Sequence, residues 1–143
     1  MTVARILADK GRDVLTTQPH RTIREVAAQL ASNGVGAVVV SDASRAVLGI
    51  VSERDIVRAI GTGPSSVLEE PVSRHMTAKV TTVDEAASID RVMELMTEGR
   101  FRHLPVVENG RLVGIVSIGD VVKRHVNTIE SEPRAVRDYI GAA

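Results

Sequence analysis

Cysteine and tryptophan are absent from the 143 residues, and Phe101 and Tyr139 are the only aromatic side chains. Without cysteine there is no disulfide, no thiolate nucleophile and no cysteine-bound metal. Two aromatics build no platform for stacking single-stranded bases. Charge of one sign is missing as well: 18 lysines and arginines balance 18 aspartates and glutamates, so the formal net charge is zero. No field steers polyanions to such a chain, and nucleic acid is not expected as a partner. No apolar run approaches the roughly 18 residues of a membrane span, and Met1-Thr2-Val3-Ala4-Arg5 lacks a signal-peptide core. The expectation is a soluble cytoplasmic protein with no membrane partner.

Catalytic signatures are also missing. There is no Walker A sequence and no G-x-S-x-G elbow. Gly34-Val35-Gly36 follows a helical pattern rather than a strand, and position 39 is valine, so the dinucleotide fingerprint fails. The four histidines (His20, His75, His103, His125) show no H-x-x-x-H spacing, so no metal site is expected. Nothing resembles an activated nucleophile or a pair of adjacent carboxylates. The sequence is not expected to be an enzyme, and it offers no catalytic residue.

What the chain does have is one stretch written twice. Leu48-Gly49-Ile50-Val51-Ser52-Glu53-Arg54-Asp55-Ile56-Val57 returns, 65 positions later, as Val113-Gly114-Ile115-Val116-Ser117-Ile118-Gly119-Asp120-Val121-Val122. Each copy reads as an apolar strand ending at serine, with an aspartate opening a helix three residues on. The surroundings repeat too. Thr22-x-x-Glu25 is a capping box, and Ile23, Val26, Ala27 and Leu30 follow at helical spacing. Ile89, Val92, Met93 and Met96 recur 66 positions later. Asn33-Gly34 and Glu98-Gly99 are expected to stop the two helices. Ala37–Val40 and Leu104–Val107 read as buried strands, each returning into the Gly-Ile-Val-Ser strand. Asn109-Gly110 is a strong hairpin turn signal. The drop in offset from 66 to 65 places a one-residue loss in that turn, where loss is cheapest.

The expected fold class is therefore α+β: two β-α-β-β-α repeats packed with pseudo-twofold symmetry, because about 60 residues bury too little surface alone. Val14–Thr17, and Val80 with Thr82, would open the repeats as brief strands. A short helix through Val3, Ile6 and Leu7 precedes them and stops at Gly11. The run Gly61–Ser66 reads as a linker. The expected organisation is 1–66 for the first repeat with its helix and linker, 67–128 for the second, and 129–143 for a tail helix entered at Ser131-Glu132-Pro133.

Candidate binding residues sit at the repeated strand–helix junctions, which offer unpaired backbone N–H groups to an anion. Asp55 and Asp120 could each accept two hydrogen bonds from a ribose diol. Equally, Ser52-x-x-Asp55 and Ser117-x-x-Asp120 are capping boxes in their own right, worth about 1 kcal/mol each. Ser52 and Ser117 could turn their hydroxyls to a phosphate. Arg54 stands in the first helical turn, where a cation opposes the helix dipole unless an anion binds there. A solvated arginine would explain it as well. Gly119 holds the equivalent place in the second repeat, so the two junctions differ chemically.

The tandem unit, carried by the Leu104-Pro105-Val106-Val107 strand, the Gly-Ile-Val-Ser strands and their downstream aspartates, resembles the CBS domain. Two in tandem are similar to the CBS pair, or Bateman module, and to the stand-alone CBS-pair proteins of bacteria. The resemblance runs from about Val3 to Arg124. It implies a regulatory sensor of adenine-bearing ligands (AMP, ADP, ATP, NAD or S-adenosylmethionine) bound in the clefts between the two repeats. An adenine nucleotide is thus the implied ligand, with no catalytic cofactor. It further implies that the aspartates hold ribose, that Arg102 and His103 face the phosphates of the ligand at Asp55, and that Val14, Thr77, Lys79 and Val80 lie against adenine. The implied partners are a second copy of the chain, in a homodimer, and an unidentified regulated protein. The alternative is a structural, protein-interaction dimerisation module with no ligand.

Overall fold

The computed structural model describes residues 1–128; the tail helix expected within 129–143 lies outside the described residues. The elements run α1 (Val3–Lys10), β1 (Thr16–Thr17), α2 (Ile23–Asn33), β2 (Ala37–Ser41), β3 (Val47–Ser52) and α3 (Glu53–Thr62), then two 3-10 turns, Ser65–Glu69 and Val72–Arg74. After these come α4 (Ile89–Gly99), β4 (His103–Glu108), β5 (Arg111–Ser117) and α5 (Ile118–Thr128). The first repeat forms the full β-α-β-β-α pattern and the second an α-β-β-α pattern preceded by a single bridge, and the class is α+β.

The chain divides into two compact units. One, here the Asp55 unit, comprises Val14–Val80 with Asn109–Leu112. The other, the Asp120 unit, comprises Met1–Asp13, Thr81–Glu108 and, of the described residues that follow, 113–128. The division falls at Val80/Thr81 rather than in the Gly61–Ser66 run, where α3 continues through Thr62 and a 3-10 turn starts at Ser65. The N-terminal helix also changes sides relative to the sequence expectation, packing with the second repeat instead of the first. Its spacing buries Val3, Ile6 and Leu7, and these three join Val92, Met96, Leu104, Val106, Val116 and Val121 in one core. Val3 and Ala4 anchor it further, their N–H groups donating to the carbonyls of Ala87 and Glu85 at 2.9 Å each.

In the Asp55 unit, β1 pairs parallel with β2, and β2 antiparallel with β3, so that Val38 faces Val51 and Val39 faces Ile50. All five β2 residues are buried, as expected for a central strand covered on both faces. The α2 capping box forms as its sequence requires: the Glu25 N–H donates to Thr22 Oγ1 at 3.1 Å, and the Thr22 N–H donates to Glu25 Oε1 at 3.2 Å. Gly34 takes the left-handed position at φ 62°. Ile23, Val26, Leu30, Val38, Val40, Val51, Ile56 and Val72 close this unit's core.

The second repeat departs from the first in three places. No strand forms at Val80 or Thr82; a single parallel bridge, Val83 with Val106, stands where β1 pairs with β2 in the other unit. The shortened turn brings Asn109 and Gly110 to φ 52° and 78°, the two positive φ values of a type I′ hairpin. In the Asp55 unit the longer turn is organised instead by Asp42, whose Oδ1 accepts from the N–H groups of Ser44 and Ala46 and from the Ser44 hydroxyl. Third, α4 does not stop at Glu98-Gly99. It includes Gly99, and the left-handed cap is Arg100 at φ 58°. A Cβ on Gly99 would lie 2.1 Å from the Phe101 ring, so the glycine is used to make room for that ring, and arginine takes the strained position.

Candidate functional site

Each repeated junction is built the same way. In the Asp55 unit, Asp55 Oδ2 accepts from the Ser52 N–H at 2.9 Å and from the Ser52 hydroxyl at 3.1 Å, while Ser52 Oγ accepts from the Asp55 N–H at 3.3 Å. The Glu53 N–H donates to the Gly36 carbonyl at 2.9 Å. In the Asp120 unit, Asp120 Oδ2 accepts from the Ser117 N–H at 2.9 Å, and Ser117 Oγ accepts from the Asp120 N–H at 3.1 Å. The Ile118 N–H donates to the Arg102 carbonyl at 2.9 Å. Both capping readings are therefore correct. The cap consumes one carboxylate oxygen and two of the three N–H groups in each first turn, so the junction offers an anion less than the bare sequence suggests. The Arg54 and Gly119 N–H groups donate to no such partner among the described residues.

Around Asp55 the same unit places Thr77 against β3, with the Ile50 N–H donating to the Thr77 carbonyl at 3.0 Å and the reverse bond at 2.9 Å. Thr77 and Lys79 are exposed, and Val14 and Val80 half-buried. Arg54 is exposed and makes no ion pair among the described residues. Arg102, exposed, and His103, half-buried, belong to the Asp120 unit. There the Arg102 main chain lies beside the start of α5, matching Gly36 beside α3 in the other unit.

The junctions part company in their charge. Lys10, the last residue of α1, donates from Nζ to Asp120 Oδ2 at 2.6 Å and to the Ile115 carbonyl at 3.0 Å. Asp55, in contrast, is bonded only to Ser52 among the described residues. Sequence reasoning missed Lys10 because no local pattern marks it. A lysine ending a helix is the ordinary answer to the helix dipole, and its partner is 110 residues away.

Burial pushes the Asp120 carboxyl up, yet the bonds from Lys10 and Ser117 outweigh it and hold the group below the ordinary carboxylate value. A depressed folded-state value contributes stability that is present above the unfolded value, near 3.9, and lost as pH falls through the folded one. The melting-temperature gap between the wild type and Asp120→Asn should therefore be constant above about pH 5 and narrow towards pH 2. A gap independent of pH would show that the Asp120 carboxylate is not held this way.

A shallow groove of about 410 Å³ lies elsewhere in the Asp55 unit, lined by Thr16, Thr17, Gln18, Arg21, Glu25 and Gln29 among others. It includes none of the junction residues. Among the described residues, no helix is long and apolar enough to cross a membrane.

Two tandem repeats of this β-α-β-β-α kind, the second with a bridge for its opening strand and each with a Ser-x-x-Asp strand–helix junction, define a paired-repeat module. The model of the CBS domain matches residues 5–62 and 72–127, and the chain belongs to the CBS-domain family. It is similar to a CBS-domain containing protein from Agrobacterium tumefaciens, with 49% identity, a TM-score of 0.84, and coverage of 87% of this chain and 99% of that one. A CBS domain protein from Pyrobaculum aerophilum, complexed with AMP, is 32% identical at a TM-score of 0.74, covering 84% and 89% of the two chains. The CBS domain-containing protein YhcV of Bacillus subtilis is 32% identical over 127 residues, 85% of this chain and 86% of its own.

Proposed function

We propose that this chain is a regulatory module that binds an adenine nucleotide at the Asp55 junction and reports it to a protein partner. The observation that carries the reading is the state of Asp55. Its carboxylate is fixed at the start of α3 by a cap that uses Oδ2, with no cation neutralising it among the described residues. A ribose diol can donate to such a carboxylate. Arg54, exposed in the first turn of the same helix, supplies charge for a phosphate, and the anion in turn relieves the cation's conflict with the helix dipole. Thr77, Lys79, Val80 and Val14, in the same unit, are the candidates to contact the base. The AMP complex of the Pyrobaculum relative supports adenine as the base.

A thermal-shift panel with AMP, ADP, ATP, NAD and S-adenosylmethionine tests this. A ligand at 100 times its dissociation constant adds about 2.7 kcal/mol, roughly 5–15 °C in a domain of this size. Asp55→Asn keeps a capping oxygen but loses the charge, so it should melt near the wild type without ligand and lose the shift with it. A flat panel on protein free of co-purified nucleotide would refute the reading.

A second reading, a dimerisation module without ligand, draws on α3. Val57 and Ile60, one turn apart, are 69% and 52% exposed, an apolar face that a second copy of the chain could cover. It predicts the flat panel.

A further inference from the structure

Position 10 is delivered to its junction by a fixed element. The helix that carries Lys10 is anchored by Val3, Ile6 and Leu7 in the core, by the Arg12–Glu85 ion pair, and by Asp9 beside both Arg5 and Arg124. The lysine side chain is 27% exposed and that of Asp120 23%. Its ammonium is shared between the Asp120 carboxylate and the Ile115 carbonyl, two acceptors that belong to the strand–helix junction itself. An arrangement with two directed bonds differs from a surface ion pair, in which long side chains wander.

The other unit lacks this device. Met76 stands 66 positions after Lys10, and Gly49, which Met76 touches, stands 65 before the Gly114 that Leu7 touches. The two segments thus cover equivalent strands. Where the Asp120 unit brings an ammonium, the Asp55 unit brings an uncharged thioether. Arg74 and Lys79 lie on the same segment, but neither pairs with Asp55 among the described residues.

We propose that Lys10 is a built-in occupant of the Asp120 junction, so that the chain takes nucleotide at Asp55 alone. A ribose reaching for Asp120 must first displace the ammonium and break both of its bonds. The inference rests on the nucleotide reading above and adds to it a stoichiometry and the residue that sets it. A charge-assisted bond lost without replacement weakens binding on the order of ten- to a hundredfold, which is enough to empty the second junction at nucleotide concentrations that fill the first.

Calorimetric titration with AMP of four proteins tests the proposal: wild type, Lys10→Met, Asp55→Asn and the Lys10→Met/Asp55→Asn double variant. Lys10→Gln, which keeps a polar side chain and drops the charge, guards against a folding defect in Lys10→Met. The expected results are one AMP per chain for the wild type, two for Lys10→Met and Lys10→Gln, none for Asp55→Asn, and one for the double variant. Two equivalents in the wild type, or one in both Lys10 variants, overturns the occupant while leaving the Asp55 reading intact. Weaker AMP binding to the double variant than to Asp55→Asn also overturns it, since Lys10 would then be a ligand for phosphate. No heat with any of the proteins removes the proposal together with the reading beneath it.

Discussion

Replacing Leu7 by alanine lowers stability by about 2–5 kcal/mol, the range for deleting a buried leucine side chain into a core that cannot fully collapse. Leu7 is 1% exposed and lies in the same core as Val92, Leu104 and Val116. Its terminal methyls would stand 2.8 Å from a Cβ on Gly114, so α1 and β5 are in direct contact. The loss should be local in origin. Hydrogen exchange should speed up first over Ile89–Gly99 and His103–Glu108, while Ala37–Ser41 and Val47–Ser52 keep their protection, because stability is distributed over cooperative units. The opposite pattern would assign the N-terminal helix to the first repeat after all. Arg5→Ala is the control. It removes an exposed pair with Asp9 and should change stability by less than about 0.5 kcal/mol.

Gly49→Ala costs about 1–3 kcal/mol, the range for forcing an extra methyl into a packed site. The new Cβ would lie 2.5 Å from Met76 Sδ and 2.9 Å from the Thr77 carbonyl oxygen. The thioether can swing away. The carbonyl cannot, because it accepts the Ile50 N–H in a bridge closed by the reverse bond. Gly114→Ala, at the equivalent position, has side-chain atoms of Leu7 as its nearest neighbours and should cost less. Parallel thermal melts decide the order, and a Gly114→Ala penalty equal to or above that of Gly49→Ala would contradict it. Because the bridge also seats Thr77 near the Asp55 junction, Gly49→Ala should weaken nucleotide binding along with stability.

These two glycines show what kind of information the sequence carries. That Gly49 and Gly114 recur in register was visible at once, and so were the strands that contain them. Why each must be glycine was not visible. One faces main chain and the other a leucine tip, and both neighbours arrive from segments outside the strand's own repeat pattern. Gly99 teaches the same point from the other direction. A glycine after a helical run suggests a left-handed stop, yet here it clears space for Phe101 and leaves the stop to Arg100. Only the packing of a ring over the last turn distinguishes the two uses.

Short-range physics was within reach of the sequence alone: capping boxes at Thr22, Ser52 and Ser117, the Asn109-Gly110 turn, the buried faces of α2 and α4, and the repeat that relates them. These depend on bonds and spacings within a few residues, and local composition determines them. The tertiary structure alone decided which repeat α1 joins, and with it the fate of Asp120. An amphipathic helix specifies that it must bury a face, but the hydrophobic effect has no direction and does not say against what. Once α1 packs on β5, Lys10 reaches Asp120 and the two junctions, so alike in sequence, carry different charge.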